Sequence, residues 1–366
     1  AGTYTVTATL HNNNYILTGE SADGITISAT YTVNRAKLTL TPKTASVDYG
    51  TEKTDITWNG FDFSTLAWED DIDVVLSGYT LDYTAQGYEA GSHVGNYTIV
   101  MRVLLGEVPQ TELANYTLDI QPLPEGFTVT PFALTVTVTN PTGPELTYKS
   151  AAIVPDFADN RLSFNNGGKD DLIFTYTYYK DGSAIEGEPV DVGTYYVVVT
   201  LEGGADKENY SFTKEQGDAY TIVPKTLTVS EWSNVSAVYG EAQDASVAFD
   251  GVLNNEDLSL TYTYDGAGVH PVDVDTYTVE ATIGNPNYCA PLGGRTVQAD
   301  YTITKATLTL TPNEATAIYG TEASAIVWKG YAASGWKYED EGKDLLAAYT
   351  PEFTAVGYAA GSAKGS

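Results

Sequence analysis

Residues 31–42 read YTVNRAKLTLTP and residues 301–312 read YTITKATLTLTP, so the chain repeats itself at an offset of 270 residues (301 − 31). Within each stretch apolar and hydroxyl residues alternate, the period of two that belongs to a strand with one buried face. The echo continues at the same offset through Tyr49-Gly50 and Tyr319-Gly320, Trp58 and Trp328, Gly60 and Gly330, Glu69-Asp70 and Glu339-Asp340, and Tyr79-Thr80 and Tyr349-Thr350. Self-similarity of this kind marks a repeat architecture, in which stacked units share one extended structure. Such arrays space, display or polymerise more often than they catalyse.

A shorter unit lies inside the long period and recurs about every 90 residues. Its marks, in order, are a Gly/Asp-x-Tyr strand, an Asn-Tyr pair and a closing Tyr-Thr-Ile/Val strand. The first complete unit carries Tyr97 and Asn115-Tyr116, with Tyr116-Thr117-Leu118 serving as both pair and closing strand. The second has Gly193-Thr194-Tyr195, Asn209-Tyr210 and Tyr220-Thr221-Ile222, and the third Asp275-Thr276-Tyr277, Asn287-Tyr288 and Tyr301-Thr302-Ile303. These marks divide the chain into a closing half-domain at 1–34, complete units at 35–122, 123–224 and 225–304, and an opening half-domain at 305–366. Alternating runs such as LTVTVT, FTYTYY and LSLTYTY, bounded by Gly, Pro, Asn or Asp, predict an all-β chain of small β-sandwich domains of Ig-like or β-grasp-like build. One or two helical turns per unit fit between Lys53 and Gly78. Linkers are nearly absent, since YTIT passes through Lys305 straight into ATLTLTP, and an elongated, stiff array is expected.

The two terminal halves make one further domain: Ser366 written before Ala1 gives GYAAGSAKGS-AGTYTVTATL, which parallels GYEAGSHVGNYTIV of the first unit. Severed halves expose strand edges. Either neighbouring repeats or copies of the chain complete them head to tail, or the ends are arbitrary and loosely packed, in which case Tyr4 and Tyr31 stand unpaired and exposed.

Composition narrows the function classes. With 48 acidic against 18 basic residues and a net charge of −30, the chain is a poor partner for nucleic acid. Such a surface holds neighbouring chains apart and suits an extracellular setting. A single cysteine, Cys289, excludes an intrachain disulfide framework and a CxxC metal site. The sequence holds no apolar run long enough to span a membrane, Ile99 to Leu105 being broken by Arg102.

The order of marks in the third unit, KTLTVS, Val238-Tyr239-Gly240, Gly251-x-x-Asn254-x-x-Asp257, Tyr277-Thr278-Val279, Asn287-Tyr288 and YTITKA, resembles the MBG domains of the YGX type, found in tandem in large bacterial surface adhesins. The first unit and both halves share the pattern through Tyr49-Gly50 and Tyr319-Gly320. The second departs, with Tyr148-Lys149 in place of Tyr-Gly and an insert at Asn165 to Asp171. The resemblance implies a mostly β domain and a stalk or adhesive role at the bacterial cell surface, and it brings no catalytic residue.

Candidate sites are few. Glu69, Asp70, Asp71 and Asp73, echoed by Glu339, Asp340, Glu341 and Asp344, offer carboxylates to calcium, although they lack the D-x-D-x-D-G loop spacing and read equally as a solvated helix N-terminus. No other cofactor is implied. Trp68, Trp232 and Trp336 do not share one slot and are the candidates for stacking on a host glycan, whereas the repeated Trp58 and Trp328 read as core or junction. A Lys-to-Asn crosslink at Lys305 is disfavoured because its counterpart is Arg35. His11, His93 and His270 sit in different units with no G-x-S-x-G nucleophile, so no enzyme is expected. Asn96, Asn115, Asn209 and Asn234 satisfy N-x-Ser/Thr, but three of them lie in the strand marks themselves. The expected partners are neighbouring repeats or copies of the chain, with host glycan or protein recognised through loops as the alternative.

Overall fold

The computed structural model describes all residues except 11–13, 16–24, 165–167, 213, 342, 344 and 364–366. Its contacts divide the chain into two units, one of 1–139, 155–179 and 196–218 and one of 140–154, 180–195 and 219–366, so the division falls inside the strands Ile173–Lys180 and Gly193–Gly203.

In the first unit the LTLTP run forms the strand Ala36–Pro42, and its alternation places Leu38 and Leu40 in the interior with no exposure. That strand pairs in parallel with Tyr116–Ile120 and antiparallel with Phe61–Phe63. A second sheet runs in the order Ala45–Asp48, Leu123–Thr130, Gly95–Leu105, Thr80–Gln86. Leu38, Leu40 and Tyr116 of the first sheet pack with Met101 and Val103 of the second, the face-to-face burial that defines a sandwich. The turns expected between Lys53 and Gly78 are a 3₁₀ turn at Lys53–Asp55 and a helix at Ile72–Val75.

One boundary moves. Tyr116–Ile120 is the partner of the opening strand, and the closing position is taken by Leu123–Thr130, whose Phe127 and Val129 face Tyr97 and Gly95. The two marks read as merged at Tyr116 are therefore separate strands. The closing mark is disguised because Phe127 stands where the other blocks have tyrosine.

The same ladder recurs in the second unit. Lys225–Thr226 pairs in parallel with Tyr288–Cys289, and a sheet runs Ser236–Val238, Thr296–Thr304, Thr276–Thr282, Thr261–Tyr264. Register is preserved each time: Tyr97 lies opposite Phe127, Tyr195 opposite Tyr220, Tyr277 opposite Tyr301, and Tyr4 opposite Tyr31. A one-residue slip would turn every buried side chain of a strand to solvent, so a constant register means a constant core face. At the ends, Gly2–Leu10 and Ile25–Val33 form a hairpin, and Thr309–Pro312 pairs with Tyr331–Ser334.

Among the described residues no helix is long and apolar enough to cross a membrane.

Candidate functional site: a tyrosine–carboxylate joint

Each Asn-Tyr pair puts a large polar-tipped ring at the edge of its block, and a buried phenol needs an acceptor. In the first unit Tyr210 is buried, and its hydroxyl donates to Asp170 Oδ2 at 2.7 Å. Tyr49, the tyrosine of the preceding Tyr49-Gly50 turn, is also buried and donates to the same oxygen at 2.9 Å. The two rings meet edge to face at 5.6 Å. A carboxylate of one block is thus held between its own tyrosine and one from the block before. Gly50 has φ of +89°, a backbone conformation that favours glycine, with the tip of the Leu162 side chain against it.

The second unit repeats the arrangement. Tyr148 donates to Glu256 Oε2 at 2.9 Å, and Tyr288 donates to the same oxygen at 2.9 Å. Ser150 adds a bond of 2.5 Å to Oε1. Tyr148-Lys149 therefore does the work of Tyr-Gly without the glycine. A third instance joins Tyr239 to Asp340 Oδ2 at 2.7 Å, with Tyr338 edge-on to Tyr239 at 5.2 Å. In the first block, Asp70 accepts from its own Tyr116 at 2.7 Å.

Electrostatics follow from burial. Desolvation pushes the Tyr49 and Tyr210 phenols well above the usual tyrosine range, and the Asp170 charge adds to it. Burial pushes Tyr288 up to about 12, with Glu256 contributing. Glu256 is held below the usual carboxylate range by the Ser150 hydroxyl and then by Tyr288 and Tyr148. Asp340 is likewise lowered by Tyr239 and by Lys343 at 3.1 Å. A phenol donating to a carboxylate makes a charge-assisted bond, which at the buried Tyr49 and Tyr210 contributes about 1.5–3 kcal/mol each.

Asparagine completes the joint. Asn209 is 1% exposed and its Oδ1 accepts the Val94 amide at 3.1 Å, one residue before the Gly95-Asn96-Tyr97 strand. Asn287 Oδ1 accepts the Val192 amide at 2.9 Å, one residue before Gly193-Thr194-Tyr195. Asn115 Oδ1 accepts from the Ala1 nitrogen, one residue before Gly2-Thr3-Tyr4. The N-x-Ser/Thr match at Asn115 and Asn209 is thus accompanied by a structural use.

The other predicted residues are dispersed. Glu69, Asp71 and Asp73 are exposed near Asp70, with Asp71 capping the short helix by accepting from the Asp73 amide at 2.8 Å. Glu339 is exposed beside Asp340, and Asp344 lies outside the described residues. Among the described residues no three acidic, histidine or cysteine side chains are grouped to hold a metal ion. Trp68 is 94% exposed over a recess of about 450 Å³ shared with Leu66, Asp70 and Ile72. Trp232 packs against the cluster of Ala237, Tyr264 and Tyr301, and Trp336 is half-buried at the edge of another cavity. Trp58 stacks on Tyr83 at 5.6 Å and 19°, and Trp328 on Phe353 with the same values. His93 lies against Asn209 and His270 against Asp244, while His11 is outside the described residues. Of the insert in the second block, residues 165–167 lie outside the described residues; beside it Phe164 packs edge-on against Tyr49 at 5.5 Å, and Tyr179 stacks on Tyr196 at 4.9 Å. Tyr176 lies against Phe157 at 4.2 Å and is 41% exposed.

Sequence reading missed the carboxylates as a set, because Asp170 and Glu256 share no local motif with Asp70 and Asp340. The usable signal was the tyrosine pattern, since a buried tyrosine pair demands a common acceptor.

The chain is nearly all β, in blocks of β-sandwich type joined by this contact. Residues 226–316 match the model of the MBG domain family. The comparison with curated proteins gives no match. Among solved structures, the N-terminal four Ig domains of Dscam1 isoform 4.44 align at 10% identity over 83% of this chain and 82% of that one, with a TM-score of 0.22. Those of Dscam1 isoform 8.4 align at 10% identity over 77% of each chain, with a TM-score of 0.20.

Proposed function

We propose that this chain is a non-enzymatic structural segment, a stalk or fibre of serial β blocks in a bacterial cell-surface adhesin or extracellular filament. The observation that supports it is the recurrence of one joint, Tyr49–Asp170–Tyr210, then Tyr148–Glu256–Tyr288, then Tyr239–Asp340. A carboxylate gripped from both sides resists bending where a linker would otherwise act as a hinge. The closing strand ends one or two residues before the next opening strand, as at Thr130 and Phe132 or Ile222 and Lys225, so tension passes along the backbone with little slack. The charge of −30 discourages lateral collapse.

Small-angle scattering tests this reading. Strands of about 10 residues give each block on the order of 35 Å, so the particle should lengthen by about that amount with every block retained. A compact particle whose length does not grow overturns it. A second reading, recognition of host glycan, is favoured by the exposed ring of Trp68. Glycan-array binding that Trp68→Ala abolishes without altering the particle length would select it.

A further inference from the structure

The joints share a tyrosine and a carboxylate but differ in what surrounds them. At the Tyr239 joint, Lys337 lies across the turn glycine: a Cβ added at Gly240, where φ is +81°, would come within 2.4 Å of the Lys337 Cβ. The same lysine reaches on to Glu241, two residues after the tyrosine, at 2.8 Å. At the Tyr148 joint the middle residue of the turn is the exposed Lys149, and two residues after the tyrosine stands Ser150. Ser150 donates to Glu256 Oε1 at 2.5 Å and accepts from Asn254 Nδ2 at 3.1 Å. Asn254 and Tyr338 hold the same place in their joints, two residues before the acid, with φ of +49° and +51°. Left-handed backbone is costly away from glycine. Here it aims one side chain at Ser150 and the other at Tyr239, the turn that each block meets.

These surroundings exclude one another. Seating the Tyr148-Lys149-Ser150 turn against Lys337 drives the Lys149 Cβ into the space that the Lys337 stem fills over Gly240, and it offers the lysine amine no carboxylate. Seating the Tyr239-Gly240-Glu241 turn against Glu256 removes the Ser150 donor and sets a second negative charge beside the first. One mismatch is steric and the other is a like-charge contact, the two means by which an interface rejects a wrong partner. The tyrosine–carboxylate bond by itself makes no such distinction, since Asp340 and Glu256 both accept it.

We propose that the two residues after each joint tyrosine, read by the residues two and three before the acid, decide which block a turn can join. This rests on the serial-block reading above. Like units of a repeat protein exchange partners and misassemble during folding. Blocks that share one tyrosine–carboxylate contact carry that hazard, and the side chains around the contact remove it. Gly240 and Glu241 fit Lys337, and Ser150 fits Asn254 and Glu256. The acid holds a turn, and its neighbours select it.

Carbon-13 NMR of the whole chain, labelled in its tyrosine rings and held at a fixed urea concentration, tests it, because Tyr148 and Tyr239 each report joined against open. Ser150→Glu should lower the joined-to-open ratio at Tyr148 at least about tenfold while Tyr239 in the same molecule holds. The buried Tyr195 and Tyr220 show in the same spectrum that the block itself stays folded. Ser150→Thr keeps the donor and should leave both joints unchanged. Glu241→Lys should lower the ratio at Tyr239 about two- to fivefold, the modest range of a partly exposed ion pair, and Glu241→Lys/Lys337→Glu should restore it. Ser150→Glu joining as firmly as Ser150→Thr, or an exchanged pair no better than Glu241→Lys alone, overturns the proposal. Either result leaves the serial-block reading standing, since that reading is judged by particle length in scattering.

Discussion

Tyr49 and Tyr210, from successive blocks, donate to one oxygen of Asp170 at 2.9 and 2.7 Å. Removing the acceptor is worse than removing a donor. Asp170→Ala leaves two buried hydroxyl donors without their acceptor, at about 1–3 kcal/mol each, although the Tyr210 oxygen still accepts the Leu162 amide, whereas Tyr49→Phe loses one bond of about 1.5–3 kcal/mol and leaves the carboxylate with Tyr210. Urea unfolding should therefore rank Asp170→Ala below Tyr49→Phe. The double variant Asp170→Ala/Tyr49→Phe should recover part of the loss, and strict additivity would deny that the two groups act together.

The joint in the second unit sets a pH window. Tyr288 is pushed up to about 12 from an ordinary value of about 10, so the folded state holds that proton more tightly than the unfolded chain. Its contribution is full below about pH 10 and is lost as pH rises through about 12. Glu256 is shifted the other way, so its contribution is full above the ordinary carboxylate range and is lost as pH falls below it. Urea midpoints measured against pH should fall at both ends, and Tyr288→Phe should flatten the alkaline limb. An unchanged alkaline limb would show that Tyr288 is not buried against Glu256.

Much of the fold could be read from the chain because strand period and turn residues are local. LTLTP gives a strand with Leu38 and Leu40 inside, and Gly/Asp-x-Tyr gives the register that recurs with Tyr4, Tyr97, Tyr195 and Tyr277. The first closing strand was hidden because burial there needs only a large ring, and Phe127 meets that need as well as tyrosine. The joint was hidden for a different reason. Asp170 lies 121 residues from Tyr49, and any carboxylate of suitable reach serves, as Glu256 demonstrates. Asp70 and Asp340 stand out in the sequence only within acidic clusters, a pattern that suggests calcium, and nothing local ties them to Tyr116 and Tyr239.

The repeated tryptophan sits in two different surroundings. Trp58 stacks on Tyr83 and also meets Phe127 at 5.7 Å, whereas Trp328 has the same stack on Phe353 beside an open cavity. Trp58→Ala should cost about 3 kcal/mol by opening a core cavity, and Trp328→Ala less than about 1 kcal/mol in the isolated chain. Denaturation followed by near-UV circular dichroism compares them.

Asn209 and Asn287 should behave alike although the two joints differ in their acid. Each side-chain oxygen accepts a backbone amide of the block before, Val94 at 3.1 Å and Val192 at 2.9 Å, and both residues are buried. Asn209→Ala leaves the Val94 amide without that acceptor, at about 1–3 kcal/mol, while Asn209→Asp retains an acceptor and should lose less. Hydrogen exchange locates the effect: the Val94 amide should exchange faster in Asn209→Ala and the Val192 amide faster in Asn287→Ala, each without change at the other. The pairing matters because these amides precede the Gly-x-Tyr strand that carries each block's register. Loosening one should raise exchange along Gly95–Leu105 in the first case and Gly193–Gly203 in the second. Equal protection in the variants and the parent would mean that the blocks are held by their cores alone, and that the asparagine of each Asn-Tyr pair takes no part in the joint.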